Sequence, residues 1–219
     1  MIVTIDGPAG AGKSSAAREL AARLGFRFLD TGAMYRAVAL AAIERLGDYD
    51  DPKLVADLAR RLRIELVGAQ VLLDGRDVTR EIRASHITSI THIAADNAEV
   101  RRYLVELQRR AAEGHDVVTE GRDQGTVVFP QAECKIFLTA SREERARRRL
   151  ADLLAKNEPV TYEDVLATQT QRDHRDAVRT VGPLRAAPDA IEVSTDGLSP
   201  REVVDRLEAI VRSKMQWSC

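Results

Sequence analysis

The chain has 219 residues, 44% of them hydrophobic and 31% charged, and a net charge of −1. That is long enough to bury a large core in one α/β domain with insertions, and too evenly charged to attract nucleic acid or an anionic membrane through a general field. Two cysteines, Cys134 and Cys219, stand without metal or redox spacing, and there is no leader-like segment or long apolar run; a cytoplasmic, membrane-free protein is expected.

In chain order, residues 2–5 read as a short buried strand that runs into Gly7-Pro8-Ala9-Gly10-Ala11-Gly12-Lys13-Ser14. This stretch fits G-x-x-x-x-G-K-[ST], a glycine loop whose backbone N–H groups converge on phosphate. Residues 13–24 follow with apolar spacing near 3.6, and Gly25 is placed to end that helix. Strand, loop and helix thus stand in the order that phosphate binding requires. Lys13 is expected at the β- and γ-phosphates and Ser14 on Mg²⁺. Gly7, Gly10, Ala11, Gly12 and Ser15 complete the candidate donor site for ATP.

Residues 26–29 suggest a second strand. Asp30-Thr31 then caps a helix over 33–46 stopped by Gly47, which places Thr31, Tyr35 and Arg36 at the head of that helix, near a strand's carboxyl end. Asp51-Pro52 opens another helix, with Pro at its first position. Residues 63–83 change character. Three β-like runs at 64–67, 71–73 and 77–79, with a turn at Asp74-Gly75, suggest a small antiparallel insertion. Helices are expected over 85–95 and 98–113. The second carries Arg101, Arg102, Arg109 and Arg110, a pattern that equally suits a solvated face.

A strand at 117–119 leads straight into Glu120-Gly121-Arg122-Asp123-Gln124-Gly125-Thr126, charged residues between glycines, as binding loops have; an Arg–Asp structural pair is the plainer reading. After a strand at 135–139, Ser141 and Glu144 suggest a capping box for an arginine-rich helix. Arg145, Arg148 and Arg149 share one face of it, which suits polyphosphate. Another helix runs from 161 past 173, with Arg172, Arg175, Asp176 and Arg179 on one stripe: three guanidiniums around one carboxylate, a nucleotide site or a surface ladder. A last strand at 190–194 and a helix started by Ser199-Pro200 close the chain. Five strands alternating with helices imply a doubly wound parallel sheet. No aspartate stands convincingly at a second-strand metal position, so Mg²⁺ is expected on Ser14, phosphates and water. An N-K-x-D guanine-reading motif is absent, which argues against a GTPase switch.

Over essentially its full length the chain resembles the bacterial-type cytidylate kinases, nucleoside monophosphate kinases with a P-loop NTPase core. The likeness rests on I-D-G-P-A-G-A-G-K-S-S, L-D-T-G-A-M-Y-R, D-V-T-R-E-I-R, G-R-D-Q-G-T-V-V-F-P, K-I-F-L-T-A-S, E-E-R-A-R-R-R and R-D-H-R-D. The first is shared by many phosphate-binding proteins. The fourth, with the second in order before it, is highly specific. The resemblance implies phosphoryl transfer from ATP to CMP or dCMP with Mg²⁺. It implies a core of residues 1–30, 115–145 and 180–219, a monophosphate-binding region at 31–114 enlarged by the insertion, and a helical lid at 146–179. A monomer acting on free nucleotides is expected.

Residue by residue, the family pattern places Thr31, Arg36, Arg101, Arg122, Asp123, Arg172, Asp176 and Arg179 around the acceptor. Arg36, Arg122 and Arg172 fall on the phosphate side, Asp123 at the sugar, and Arg101, Asp176 and Arg179 toward cytosine. Lys13, Arg122 and Arg172 are the expected catalytic residues, and Arg145 and Arg149 join the donor site. Thr31 stands where a Ser is common, keeping the hydroxyl. His92 stands where many relatives have Ser, which puts a base contact there in doubt. A kinase of the same fold for UMP, AMP, dTMP or shikimate is the alternative.

Overall fold

β1 (Ile2–Asp6) is buried from its second residue on, as expected of a continuous apolar run covered on both faces. It is the middle strand of a five-stranded sheet, with β2 (Arg27–Asp30) and β6 (Val117–Gly121) to one side and β7 (Cys134–Thr139) and β8 (Ile191–Ser194) to the other, in the order β2-β6-β1-β7-β8. β1 pairs in parallel with both β6 and β7, and β7 with β8. A computed structural model describes residues 1–47, 49–155 and 157–215; Cys219 lies outside them.

The chain divides into two compact units, one formed by Met1–Phe28 with the chain from His115 on, the other by Leu29–Gly114. In the first, α1 (Lys13–Leu24) packs on β6 and on α9 (Pro200–Met215). Val3, Ile5, Ala17, Leu20, Val118, Ile136, Leu138, Val193, Leu207 and Val211 make one apolar core there. The ends of α1 fall where the sequence placed them, with Gly25 left-handed at its C-cap. α7 (Arg142–Leu154) and α8 (Tyr162–Val178) pack as a pair around Ala146, Leu153 and Val165.

In the second unit, α2 (Thr31–Arg45) is buried along most of its length and forms the hub of a core shared with α3 (Pro52–Ala59), α4 (Ser85–Ile90), α5 (His92–Ala95) and α6 (Ala98–Ala112). β3 (Ile64–Val67), β4 (Gln70–Leu73) and β5 (Arg76–Asp77) form the antiparallel insertion.

Four local expectations are corrected. α2 begins at Thr31, two residues early, because Asp30 caps it by accepting from the Ala33 N–H at 2.9 Å. The helix expected over 85–95 breaks at Thr91. Thr88 and Thr91 turn their hydroxyls back onto the Ala84 and Ile87 carbonyls, bonds that compete with the helix ladder. The third insertion strand is Arg76–Asp77 and not 77–79, since Asp77 caps the Thr79 N–H and hydroxyl. The capping box at Ser141 is half made: its hydroxyl accepts from Glu144 N, but Asp196 takes the Ser141 N–H and Glu144 pairs with Arg147 and Arg148.

Candidate active site

The donor loop leaves the carboxyl end of the central strand. Gly7 has φ +149°, and a Cβ there would lie 1.9 Å from the Leu138 carbonyl oxygen on β7, so no side chain fits. Gly10, at φ +82°, passes under Gln169 Nε2 and Arg145 Cβ, 2.9 and 3.1 Å from where its Cβ would stand. Ala11 is fully buried, Gly12 is the left-handed N-cap of α1, and Ser14 and Ser15 are exposed at the helix start.

Lys13 is buried and donates to the Pro8 carbonyl at 2.7 Å. Burial pushes its ammonium down to about 7, and the charges of Arg122 and Arg172 push the same way against Glu120 and Asp6. Arg122 and Arg172 are thus close enough to act on Lys13, with Glu120 and Asp6 offsetting them in part.

Ser14 Oγ donates to Glu120 Oε1 at 2.9 Å. The parallel register pairs Ile5 with Glu120 and so brings this carboxylate from β6 to the donor loop. The sequence offers no convincing aspartate at a second-strand metal position; in the fold the Ser14 hydroxyl meets a glutamate of β6, distant in sequence. A hydroxyl and a carboxylate are hard oxygen ligands of the kind Mg²⁺ takes alongside phosphates and water. Among the described residues no three His, Cys, Asp or Glu side chains cluster into a cage of their own.

Beyond Glu120, Arg122 donates through Nε to Asp176 Oδ2 at 2.8 Å and through a terminal nitrogen to the Gly121 carbonyl. Asp176 Oδ1 accepts from Arg179 at 2.6 Å. Burial raises Asp176, yet Arg122, Arg179 and Arg172 outweigh it and hold the carboxyl below its usual range. Burial likewise lowers Arg122, and Asp176 more than offsets it. The expected stripe on α8 is thus altered. Arg179 has left the helix as its C-cap, and the second guanidinium on Asp176 is Arg122, from the loop after β6. Arg172 is exposed, and the Nε of Arg175 is buried without a hydrogen-bond partner among the described residues. Asp123 is buried just ahead of the π turn Gln124–Val128.

The arginines of α7 are largely met by the protein itself. Arg145 pairs with Asp173 at 2.7 Å and donates to the Ala140 and Ala9 carbonyls. Gln169 of α8 donates to the same Ala9 carbonyl at 2.9 Å. Arg148 is held by Glu144 and Thr195, and Arg149 is half-buried on the same helix. The charge repulsion implied by the sequence is relieved by Glu144, one turn away on the same helix, and by Asp173 of α8, which local spacing did not reveal.

In the second unit, Asp30 gathers three donors at the head of α2: Ala33 N, Arg36 at 3.2 Å and Arg83 at 3.1 Å. The Nε of Arg36 is buried with no hydrogen-bond partner among the described residues. Thr31 is buried as the first residue of α2. Arg101, 2% exposed, donates to the Ala95 carbonyl and lies over the Tyr35 ring, 5.4 Å from its centroid. His92 is exposed, and its Nδ1 donates to the Ser89 carbonyl at 3.0 Å. Arg83 stood in the D-V-T-R-E-I-R run without a role; its pairing with Asp30 spans the insertion and could not be read from spacing.

Comparison with known proteins follows the same line. The family model described as cytidylate kinase matches residues 3–213. A cytidylate kinase of Rhodopirellula baltica is 50% identical over 218 residues, covering 100% of this chain and 95% of that protein. One of Carboxydothermus hydrogenoformans is 48% identical, covering 98% of each. A solved structure of an uncharacterized protein from Eubacterium ventriosum superposes with a TM-score of 0.54 at 12% identity, covering 97% of this chain and 98% of that one, a likeness of fold alone. With the glycine loop, the Arg122 segment and the R-D-H-R-D helix in one chain matched along nearly its whole length, this protein belongs to the cytidylate kinase family.

Proposed function

We propose that the chain transfers the γ-phosphoryl group of ATP to the phosphate of CMP or dCMP, giving CDP or dCDP and ADP. The observation that carries the phosphoryl-transfer step is the cation cluster of Lys13, Arg122 and Arg172, close enough for the two arginines to depress Lys13. Lys13 bears the repulsion of the two arginines, and a transferring phosphoryl group supplies an anion that relieves it.

An acceptor phosphate oxygen bonds to the γ-phosphorus as the bond to the β,γ-bridging oxygen breaks, and ADP leaves with that electron pair. Little covalent work falls to the protein, so positioning and neutralisation are its means. Gly7, Gly10, Ala11, Gly12, Lys13, Ser14 and Ser15 hold the donor phosphates. Arg145 supports them through the Ala9 carbonyl, with Arg149 on the same helix. Ser14, with Glu120 behind it, fits a Mg²⁺ ion, which when bound screens the donor phosphates.

Arg36, Arg122 and Arg172 serve the acceptor phosphate and Asp123 its sugar. Thr31 also serves the acceptor, and Arg101, Asp176 and Arg179 its cytosine end. Residues 31–114 act as the monophosphate-binding region and 146–179 as a lid that excludes water. The enzyme is read as a monomer acting in the cytoplasm on free nucleotides. Among the described residues no helix is long and apolar enough to cross a membrane.

Lys13→Met tests the donor site. Its charge is made for phosphate and not for the core, so the variant is expected to fold normally and to lose roughly a hundredfold or more in kcat. A folded variant with near-normal turnover in an ADP-release assay contradicts the assignment.

A further inference from the structure

Asp6 has no part in the reaction as described, yet it is the last residue of β1, 3% exposed, and immediately precedes the donor loop. Its two carboxylate oxygens are committed separately: Oδ1 accepts from the Gln124 N–H at 2.8 Å and Oδ2 from the Gly125 N–H at 2.7 Å. These are the residues directly after Arg122-Asp123. The surrounding segment is built to receive the clamp. A Cβ at Gly125 would stand 2.9 Å from Thr4 Oγ1 and 3.4 Å from Asp6 Oδ2, so only glycine allows the approach. Gln124 is fixed in turn by the Thr119 hydroxyl, which donates to its Oε1 at 2.9 Å.

We propose that Asp6 is a positioning residue. By binding two successive N–H groups it holds the Arg122-Asp123 segment at the geometry in which Arg122 meets the acceptor phosphate, and it ties that segment to the strand that launches the donor loop. This rests on the roles proposed above for Lys13 and Arg122, and extends them to a residue that touches neither substrate.

A neutral, apolar side chain would fill the same space without a buried charge. The charge is retained under strain: burial raises the carboxyl to about 6, with Asp123 adding repulsion, while the two N–H groups and Lys13 oppose the rise. Arg122 also faces it, and Lys135 of β7 passes nearby with its ammonium turned to Pro130 and Asp189. Because the folded carboxyl titrates higher than the unfolded one, ionising it lowers stability as the pH rises from about 4 to about 6. A group kept charged against stability suits a working role more than a supporting one.

Asp6→Asn keeps the shape but sets an amide NH₂ against one of the two N–H donors, so one clamp bond is lost. The expected result is a fall in kcat for CMP of about tenfold or more, with the KM for ATP changed by less than about threefold and no loss of melting temperature. The wild-type to variant activity ratio should also fall as the pH is lowered through about 6, since protonation gives the wild type the same defect; substrate ionisation is common to both and cancels. A folded variant with wild-type kcat, or a ratio independent of pH, overturns the proposal. A loss confined to the KM for ATP also overturns it, since Asp6 would then act on the donor loop and not on the Arg122 segment. Hydrogen exchange on the wild-type enzyme decides the matter even if the variant does not fold. Protection of the Gln124 and Gly125 amides, taken relative to the amides of the neighbouring strands β1 and β6, should drop as the pH falls through about 6, and a relative protection that stays constant or rises contradicts the clamp.

Discussion

Asp176 holds Arg122 by one carboxylate oxygen and Arg179 by the other, and each oxygen keeps a lone pair for a further donor. Cytosine offers a 4-amino donor and uracil a carbonyl at the same place, so a carboxylate can accept from the first and only repels the second. Asp176→Asn is therefore expected to lower kcat/KM for CMP by roughly ten to a few hundredfold and to narrow the preference over UMP. Steady-state kinetics with both acceptors check this. If both rates fall together, Asp176 acts by orienting its two arginines and does not read the base. At this scale the sequence shows residue types well and partners poorly. Lys13 and Ser14 are legible because their spacing is local. Glu120 on Ser14, Asp173 on Arg145 and Asp30 on Arg83 are pairings across strands, helices or an insertion, and nothing in local spacing encodes them.

Helices follow the same division between local and distant causes. α1 stops and α6 starts where glycine and asparagine chemistry says they should, while the break between α4 and α5 depends on how a run of Ser and Thr hydroxyls resolves its competing bonds. Asn97 shows what a cap contributes. Its Oδ1 accepts from Glu99 N and Val100 N at 3.0 and 3.2 Å, and its amide donates to the Pro52 carbonyl at 2.7 Å, tying α6 to α3. Asn97→Ala should cost about 1 kcal/mol, a lowering of the melting temperature by about 2–4 °C for a chain of this size. A melting temperature equal to that of the parent would show the cap to be replaced by water.

For the whole molecule, alternation of strands and helices was enough to imply a parallel sheet, and the β insertion was visible as a change in periodicity. The strand order was not. Only the fold places β1 between β6 and β7, and that order is what brings Glu120 and the Arg122 segment to the donor loop. The central claim is that these groups serve phosphoryl transfer to a cytidine monophosphate. The most direct measurement is the initial rate of ADP release from ATP and Mg²⁺ with CMP, dCMP, UMP, AMP, dTMP and shikimate offered in turn to the same enzyme. The account predicts kcat/KM for CMP and dCMP at least about tenfold above every other acceptor. A higher value for AMP, dTMP or shikimate, or ADP release that needs no acceptor, would contradict it.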